Sequence, residues 1–216
     1  MKRLLSIVMS AAVALALLTG SIAVPLLVRP FYYAQIEPLD IEQKSGLSRS
    51  EIINAYDEVL DYCNGVTDEF SAGVLPFSRS GAEHFADCRR LFVLDFAILA
   101  VSAAVILALC VIDRKTGLHR FRGHGAPFWG AVGMSGLLAA AGVLVAADFD
   151  AAFTAFHGLL FPGKDNWIFD PAYDPIINLL PEEFFRNCAI CIFAVFAIAS
   201  TCIIAHDVKA RKSRHL

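Results

Sequence analysis

Charge is scarce in this chain. Asp, Glu, Lys and Arg make up 18% of its 216 residues, against about a quarter in soluble domains. With 57% hydrophobic residues, that scarcity excludes a disordered chain. A formal charge of −3 and a pI near 6.0 leave no basic excess, so no nucleic-acid partner is expected. Several catalytic signatures are missing. There is no P-loop, no GxGxxG and no GxSxG nucleophile elbow. HExxH is absent too, as are internal repeats, low-complexity tracts and Ser/Gly linkers.

The apolar residues are gathered into four runs. Residues 4–28 and 127–147 and 187–205 carry no charge, and 91–112 carries only Asp95. At the helical rise, these runs reach about 28–38 Å, enough for a hydrocarbon core of about 30 Å. The expected fold class is therefore an all-α membrane protein, a four-transmembrane-helix bundle. Ser21-Ile22-Ala23 resembles a signal-peptidase site, but the first run is too long for a signal h-region, so an uncleaved helix is expected.

The flanking charges orient the bundle. Lys2, Arg3, Arg114, Lys115, Arg120, Arg122, Lys209, Arg211, Lys212 and Arg214 face only Asp113 and Asp207, a balance of +8, while the rest of the chain carries −11. The positive-inside rule places both termini and the 113–126 loop in the cytoplasm. Loops 29–90 and 148–183 are then extracytoplasmic. They are too short for an autonomous core, so a small helical cap built from both loops and continuous with the helices is expected.

The loops carry local signals. Phe31, Tyr32 and Tyr33 suit a membrane interface. Ser48 and Glu51 are spaced as a capping box, and a helix should follow to about Tyr62 with Ile52, Tyr56, Val59 and Cys63 on one face. Ser80 and Glu83 read as a second capping box, opening a helix that runs into the second span. Phe153, Phe156, His157, Leu160 and Phe161 form an apolar helical stripe that Pro162-Gly163 ends. Asp170-Pro171 and Asp174-Pro175 read as turns. Pro181, Glu182 and Glu183 suit the start of the last helix.

Six histidines are present. His119, His124, His206 and His215 fall in basic inner segments and read as solvated. Only His84 and His157 lie outside, and they form a candidate acid/base pair. His84, Asp87, Leu91 and Asp95 share one helix face, so Asp87 is expected to orient the His84 ring. Asp95, an acid inside a span, needs a partner, for which Arg186 is the candidate. His84 and His157 with Asp87 would be enough donors for zinc. The two histidines are 73 positions apart, however, and no metal or other cofactor is expected. Cys188-Ala189-Ile190-Cys191, with Cys63 and Cys88 outside, is similar to the CxxC of membrane thiol–disulfide oxidoreductases. That alternative stays open, as does a non-enzymatic binding or scaffold role.

Two outer segments carry a further resemblance. Leu75-Pro76-Phe77-Ser78 with His84-Phe85-Ala86-Asp87 is one. Phe156-His157, Phe161, Trp167-Ile168-Phe169-Asp170-Pro171 and Pro181-Glu182-Glu183-Phe184-Phe185 form the other. Together with the number and order of spans, they resemble the lipoprotein intramolecular transacylases, the Lit-type membrane enzymes. The CxxC and the Ala- and Cys-rich last span fall outside that pattern. The resemblance implies a cofactor-independent acyltransferase of the bacterial cell membrane with its site at the outer leaflet. Its partners would be diacylated lipoproteins and membrane lipid. One acyl chain, from sn-2 of the diacylglyceryl cysteine, would move to that cysteine's own α-amine and give the lyso-form. Catalysis falls to His157 and His84, with Trp167 and Asp170 in support. The Phe-rich stripe should hold His157 neutral as the base. Glu83 and Asp87 should favour the His84 cation as the acid.

Overall fold

A computed structural model describes residues 1–213; Arg214 and His215, which enter the charge and histidine readings above, lie outside the described residues. The chain is helical, with no strand among the described residues. Its helices are α1 (Lys2–Leu27), α2 (Pro30–Tyr33), α3 (Ile41–Ser45), α4 (Arg49–Cys63), α5 (Arg79–Thr116), α6 (Ala126–Ala147), α7 (Phe149–Leu160) and α8 (Glu182–Ser213), with a 3₁₀ turn at Pro175–Asn178. Four of them, α1, α5, α6 and α8, are long and apolar enough to cross a membrane. The apolar runs at 91–112 and 187–205 are the central parts of two longer helices, α5 and α8, whose charged ends extend beyond the runs.

Two compact units share these helices. The first comprises Met1–Ile22, Asp95–Leu144 and the chain from Cys191 onward. Its core gathers Met9, Val13, Leu17, Leu109, Ala131 and Phe196. Close helix approach sets the packing: a Cβ on Gly130 of α6 would collide with the Ser10 carbonyl oxygen of α1. The Ser10 hydroxyl donates to the Ala126 carbonyl at 2.8 Å. In the turn between α5 and α6, His124 is not the solvated residue the sequence suggests. Its Nδ1 lies 2.6 Å from Asp207, Arg211 donates to its Nε2 at 2.8 Å, and its ring stacks on Phe128.

The second unit comprises Ala23–Leu94 and Val145–Ile190. It has a core of its own, contrary to the expectation from loop length, because two distant segments and the ends of the long helices pool their apolar residues. Tyr32, Ile36, Ile41, Ile52, Ile176 and Leu179 are fully enclosed. Tyr32 stacks on Tyr56 at 3.7 Å between ring centres and donates its hydroxyl to the Leu179 carbonyl. It is therefore a core residue rather than an interfacial one. Tyr33 donates to Asp57, and Arg29 pairs with Asp57 and Asp61.

Helix starts follow local chemistry. Ser48 and Glu51 form the reciprocal capping box expected for α4. The second box does not form. Ser78, two residues earlier, caps α5 by accepting from Gly81 N, while Glu83 turns to Arg79. Asp148 alone separates α6 from α7, and caps α7 through Ala151 N. The α7 stripe is not buried as a face. Phe156 and Leu160 are exposed, and among the residues of α7 only His157 is buried.

Replacing Gly130 with Val should cost about 1–3 kcal/mol, because backbone rather than a movable side chain blocks the new atoms. Gly136, on the same helix, has open space where a side chain would begin, with no atom within 4 Å of an added Cβ. Gly136→Ala should therefore gain up to roughly 1 kcal/mol of helix propensity. Thermal unfolding of the purified protein in detergent checks both.

Candidate active site

His84 and His157 come together in the second unit. Their ring centres are 6.0 Å apart, although 73 positions of sequence separate them. His84 projects from α5, one and a half turns after the Ser78 cap, and His157 from the last turn of α7. Aromatic rings enclose the pair. Trp167 stacks on His157 at 4.6 Å and Phe153 lies 4.2 Å from it. Phe161 and Phe169 meet the His84 ring edge-on at 5.1 and 5.5 Å. Only 6% of His84 and 8% of His157 is exposed, so both imidazoles work in a medium from which bulk water is largely removed.

That enclosure decides the protonation states. Burial pushes His84 from 6.5 down to about 4, and His157 adds to the shift by repelling a second cation. Asp87 opposes it but does not prevail, and Lys164 counters Asp87. The expected His84 cation is thus replaced by a neutral ring. His157 is also lowered by burial, against a smaller opposing effect of the Phe153 carbonyl. The two histidines therefore share one charge state at neutral pH and differ only in their hydrogen bonds. His157 Nδ1 lies 2.8 Å from the Phe153 carbonyl oxygen. A carbonyl only accepts, so Nδ1 carries the proton and Nε2 keeps its lone pair. His84 Nδ1 is buried without a partner, and its Nε2 lies 3.4 Å from Cys88 Sγ.

Asp87 has a different task from the expected one. Its oxygens accept from Lys164 at 2.5 Å, Asn166 at 3.2 Å and Arg90 at 3.3 Å, and none of its hydrogen bonds goes to His84. Burial pushes its carboxyl up, but these donors outweigh burial and hold it below the usual range. The carboxylate thereby ties α5 to the loop that carries Trp167. Sequence reasoning misses Lys164 and Asn166. A lone lysine directly after Pro162-Gly163 is the available signal, since a turn there brings the next residues back over α7. Asp170 is exposed and closes a turn, accepting from Ala172 N and, through its carbonyl, from Tyr173 and Asp174.

Asp174, read only as part of a turn, is 5% exposed and fixes the start of α5. It accepts from Ser78 N and Ser78 Oγ, both at 2.7 Å. Arg186 pairs with Glu182 at 3.8 Å, which replaces the expected partnership with Asp95. Asp95 Oδ2 is buried and has no hydrogen-bond partner. No disulfide is present among the described residues, and Cys63 Sγ points to the Phe85 carbonyl. No three His, Cys, Asp or Glu side chains gather as metal ligands among the described residues.

Neutral burial of His84 carries a pH signature. Between pH 6.5 and about 4 the unfolded chain binds a proton at this position that the folded chain refuses. Stability from this source is complete above pH 6.5, falls as the pH drops, and levels off below about 4. Melting temperature measured across that range should therefore fall on acidification, and His84→Asn should flatten the fall.

The sequence model of the lipoprotein intramolecular transacylase Lit matches residues 7–185. In structure, the chain is similar to the in meso structure of the membrane-integral lipoprotein intramolecular transacylase Lit from Bacillus cereus. The TM-score is 0.89 at 25% identity, over 100% of this chain and 99% of that one. Two further in meso structures of the Bacillus cereus protein carry a histidine replaced by arginine or by alanine. They match at TM-scores of 0.81 and 0.82, each at 25% identity and over 99% of this chain, covering 95% and 96% of those chains. No curated protein matches the chain by sequence. With the family model spanning most of its length, the chain belongs to the lipoprotein intramolecular transacylase (Lit) family.

Proposed function

We propose that this membrane acyltransferase moves the sn-2 acyl chain of a diacylglyceryl-cysteine lipoprotein to the α-amine of the same cysteine, giving the lyso-form. The observation that carries the mechanism is the pair of buried imidazoles 6.0 Å apart, one with its Nδ1 committed to the Phe153 carbonyl. Donor and acceptor belong to one substrate molecule, so alignment replaces a bimolecular encounter. An ester becomes an amide, which is downhill and calls for no cofactor.

The α-amine, with a pKa of about 7.7–8.0, attacks the ester carbonyl carbon in its neutral form. His157 Nε2 accepts the proton that the amine nitrogen loses on bonding. Negative charge grows on the carbonyl oxygen, and His84 donates a hydrogen bond to it. The bond between the acyl carbon and the sn-2 glyceryl oxygen then breaks. The His157 cation returns its proton to the departing alkoxide, leaving an amide and an sn-2 hydroxyl. Both histidines end as they began. His84 acts here as a neutral donor, because its burial excludes the cation.

The charge asymmetry supports a placement with both termini cytoplasmic and the histidine pair at the outer leaflet. There the two acyl chains of the substrate meet membrane lipid and the exposed Phe156 and Leu159 of α7. Nucleic acid has no part in the reading. Impermeant thiol labelling of cysteines introduced singly into a cysteine-free protein tests the topology. Sites in 29–90 should label from outside and sites in the C-terminal tail should not; the reverse pattern overturns the orientation.

Mass spectrometry of lipoprotein N-termini tests the reaction. Cells making the protein should contain the N-acyl, S-monoacylglyceryl form. His157→Asn and His84→Asn should each reduce it at least about a hundredfold, the scale of a lost acid–base or oxyanion group. Cys188→Ser with Cys191→Ser should leave it in place, whereas loss of activity in that double variant would favour the thiol–disulfide alternative.

A further inference from the structure

Cys88 stands one helical turn after His84 on α5, and its Sγ lies 3.4 Å from His84 Nε2. No carboxylate takes that position: Glu83 pairs with Arg79, and Asp87 is engaged by Lys164, Asn166 and Arg90. The opposite ring nitrogen, Nδ1, is buried with no hydrogen-bond partner. We propose that Cys88 is a positioning residue for acyl transfer: its S–H donates to His84 Nε2 and thereby fixes the proton on Nδ1, where it serves as the hydrogen bond to the oxyanion. This rests on the histidine roles given above and adds the group that sets one of them.

The direction of the bond follows from donor and acceptor quality. A thiol can give or accept weakly, but a neutral imidazole nitrogen is a good acceptor through its lone pair. S–H donating to Nε2 uses that acceptor. The opposite arrangement, N–H donating to sulfur, uses a poor acceptor, while Nδ1 is unpartnered in either case. Burial pushes the Cys88 thiol up to about 12, so it keeps its hydrogen at neutral pH. The neighbouring thiol, Cys63, points at the Phe85 carbonyl, 3.9 Å away, and does not compete for the ring.

The choice of thiol has a chemical result. In hydrolase triads a carboxylate holds the histidine and stabilises the imidazolium that forms. A neutral thiol fixes the tautomer without that stabilisation. His84 is thereby kept as an N–H donor and does not compete with His157 for the substrate proton. Two chemically identical side chains in one enclosure are told apart by their second nitrogens: a carbonyl on His157, a thiol on His84.

The full chain labelled with ¹⁵N-histidine in detergent micelles tests this directly, with the His84 signals assigned by their loss in His84→Asn. Wild type should show the Nδ1–H tautomer at His84, and Cys88→Ser, whose hydroxyl also donates, should keep it. Cys88→Ala should lose the preference. On a synthetic lipopeptide with an N-terminal S-diacylglyceryl cysteine, Cys88→Ala should lower kcat roughly tenfold, the scale of one hydrogen bond. KM should stay within about twofold, and Cys88→Ser should recover kcat to within about threefold of wild type. An Nε2–H tautomer in wild type overturns the proposal, even if Cys88→Ala does not fold. A tautomer unmoved in Cys88→Ala overturns it whatever the rate does. Failure of the wild type to form the lyso-product would instead sink the acyl-transfer reading, and the tautomer would be judged by its own spectrum.

Discussion

A buried carboxylate sets the register of the helix on which the site depends. Asp174 accepts from both the backbone and the hydroxyl of Ser78, and Ser78 in turn caps α5. Space is as important as charge here. A Cβ on Gly81 would overlap Asp174 Oδ1, so a side chain there would push the carboxylate from its place at Ser78. With the first turn of α5 held in this way, His84, Asp87 and Cys88 fall at fixed angles around it. A carboxylate accepting two hydrogen bonds under cover is a stiff connection, because loss of either donor would leave a buried charge short of a partner. His84 meets Phe169 and Asp87 meets Lys164 because this start is fixed.

Environment, rather than the neighbouring acids, then assigns the chemistry. From Glu83 and Asp87 alone, His84 should be the more basic ring. In the folded chain it is depressed instead, since burial in the aromatic enclosure disfavours the cation and Lys164 offsets Asp87. A carboxylate on the same helix face acts on an imidazole only if its oxygens are not already engaged, and those of Asp87 are.

Much of the fold is legible in the sequence. Four apolar runs give four long helices, since helix length and hydropathy are local properties. The Ser48–Glu51 box forms because both partners lie within one turn. The Ser80–Glu83 box fails for a nonlocal reason: Asp174, 96 positions from Ser78, stabilises Ser78 as the cap. Tyr32 departs from expectation for the same kind of reason. Its neighbours Phe31 and Tyr33 make an interfacial pattern, but Tyr56 and Leu179 enclose it. The pairing of His84 with His157 is legible by elimination, as the two histidines outside the basic segments. Lys164 and Asn166 are legible only through the Pro162-Gly163 turn before them, because loop residues acquire partners only when a turn folds them onto another element.

Under the proposed mechanism, the rings that enclose the imidazoles also decide where the acyl group goes. An ester carbonyl polarised by a hydrogen bond and faced by a base is as open to water as to an amine, and water is far more abundant. Were Phe153, Phe161, Trp167 and Phe169 to admit it, the oriented ester would be hydrolysed. The lipoprotein would lose a chain to free fatty acid without gaining one on nitrogen. With His84 and His157 each less than one-tenth exposed, the competing nucleophile is shut out at the atom where the choice is made. In that mechanism the partition between transferase and esterase chemistry is a property of an aromatic wall, and a narrower one than the histidine pair itself, which could serve either outcome.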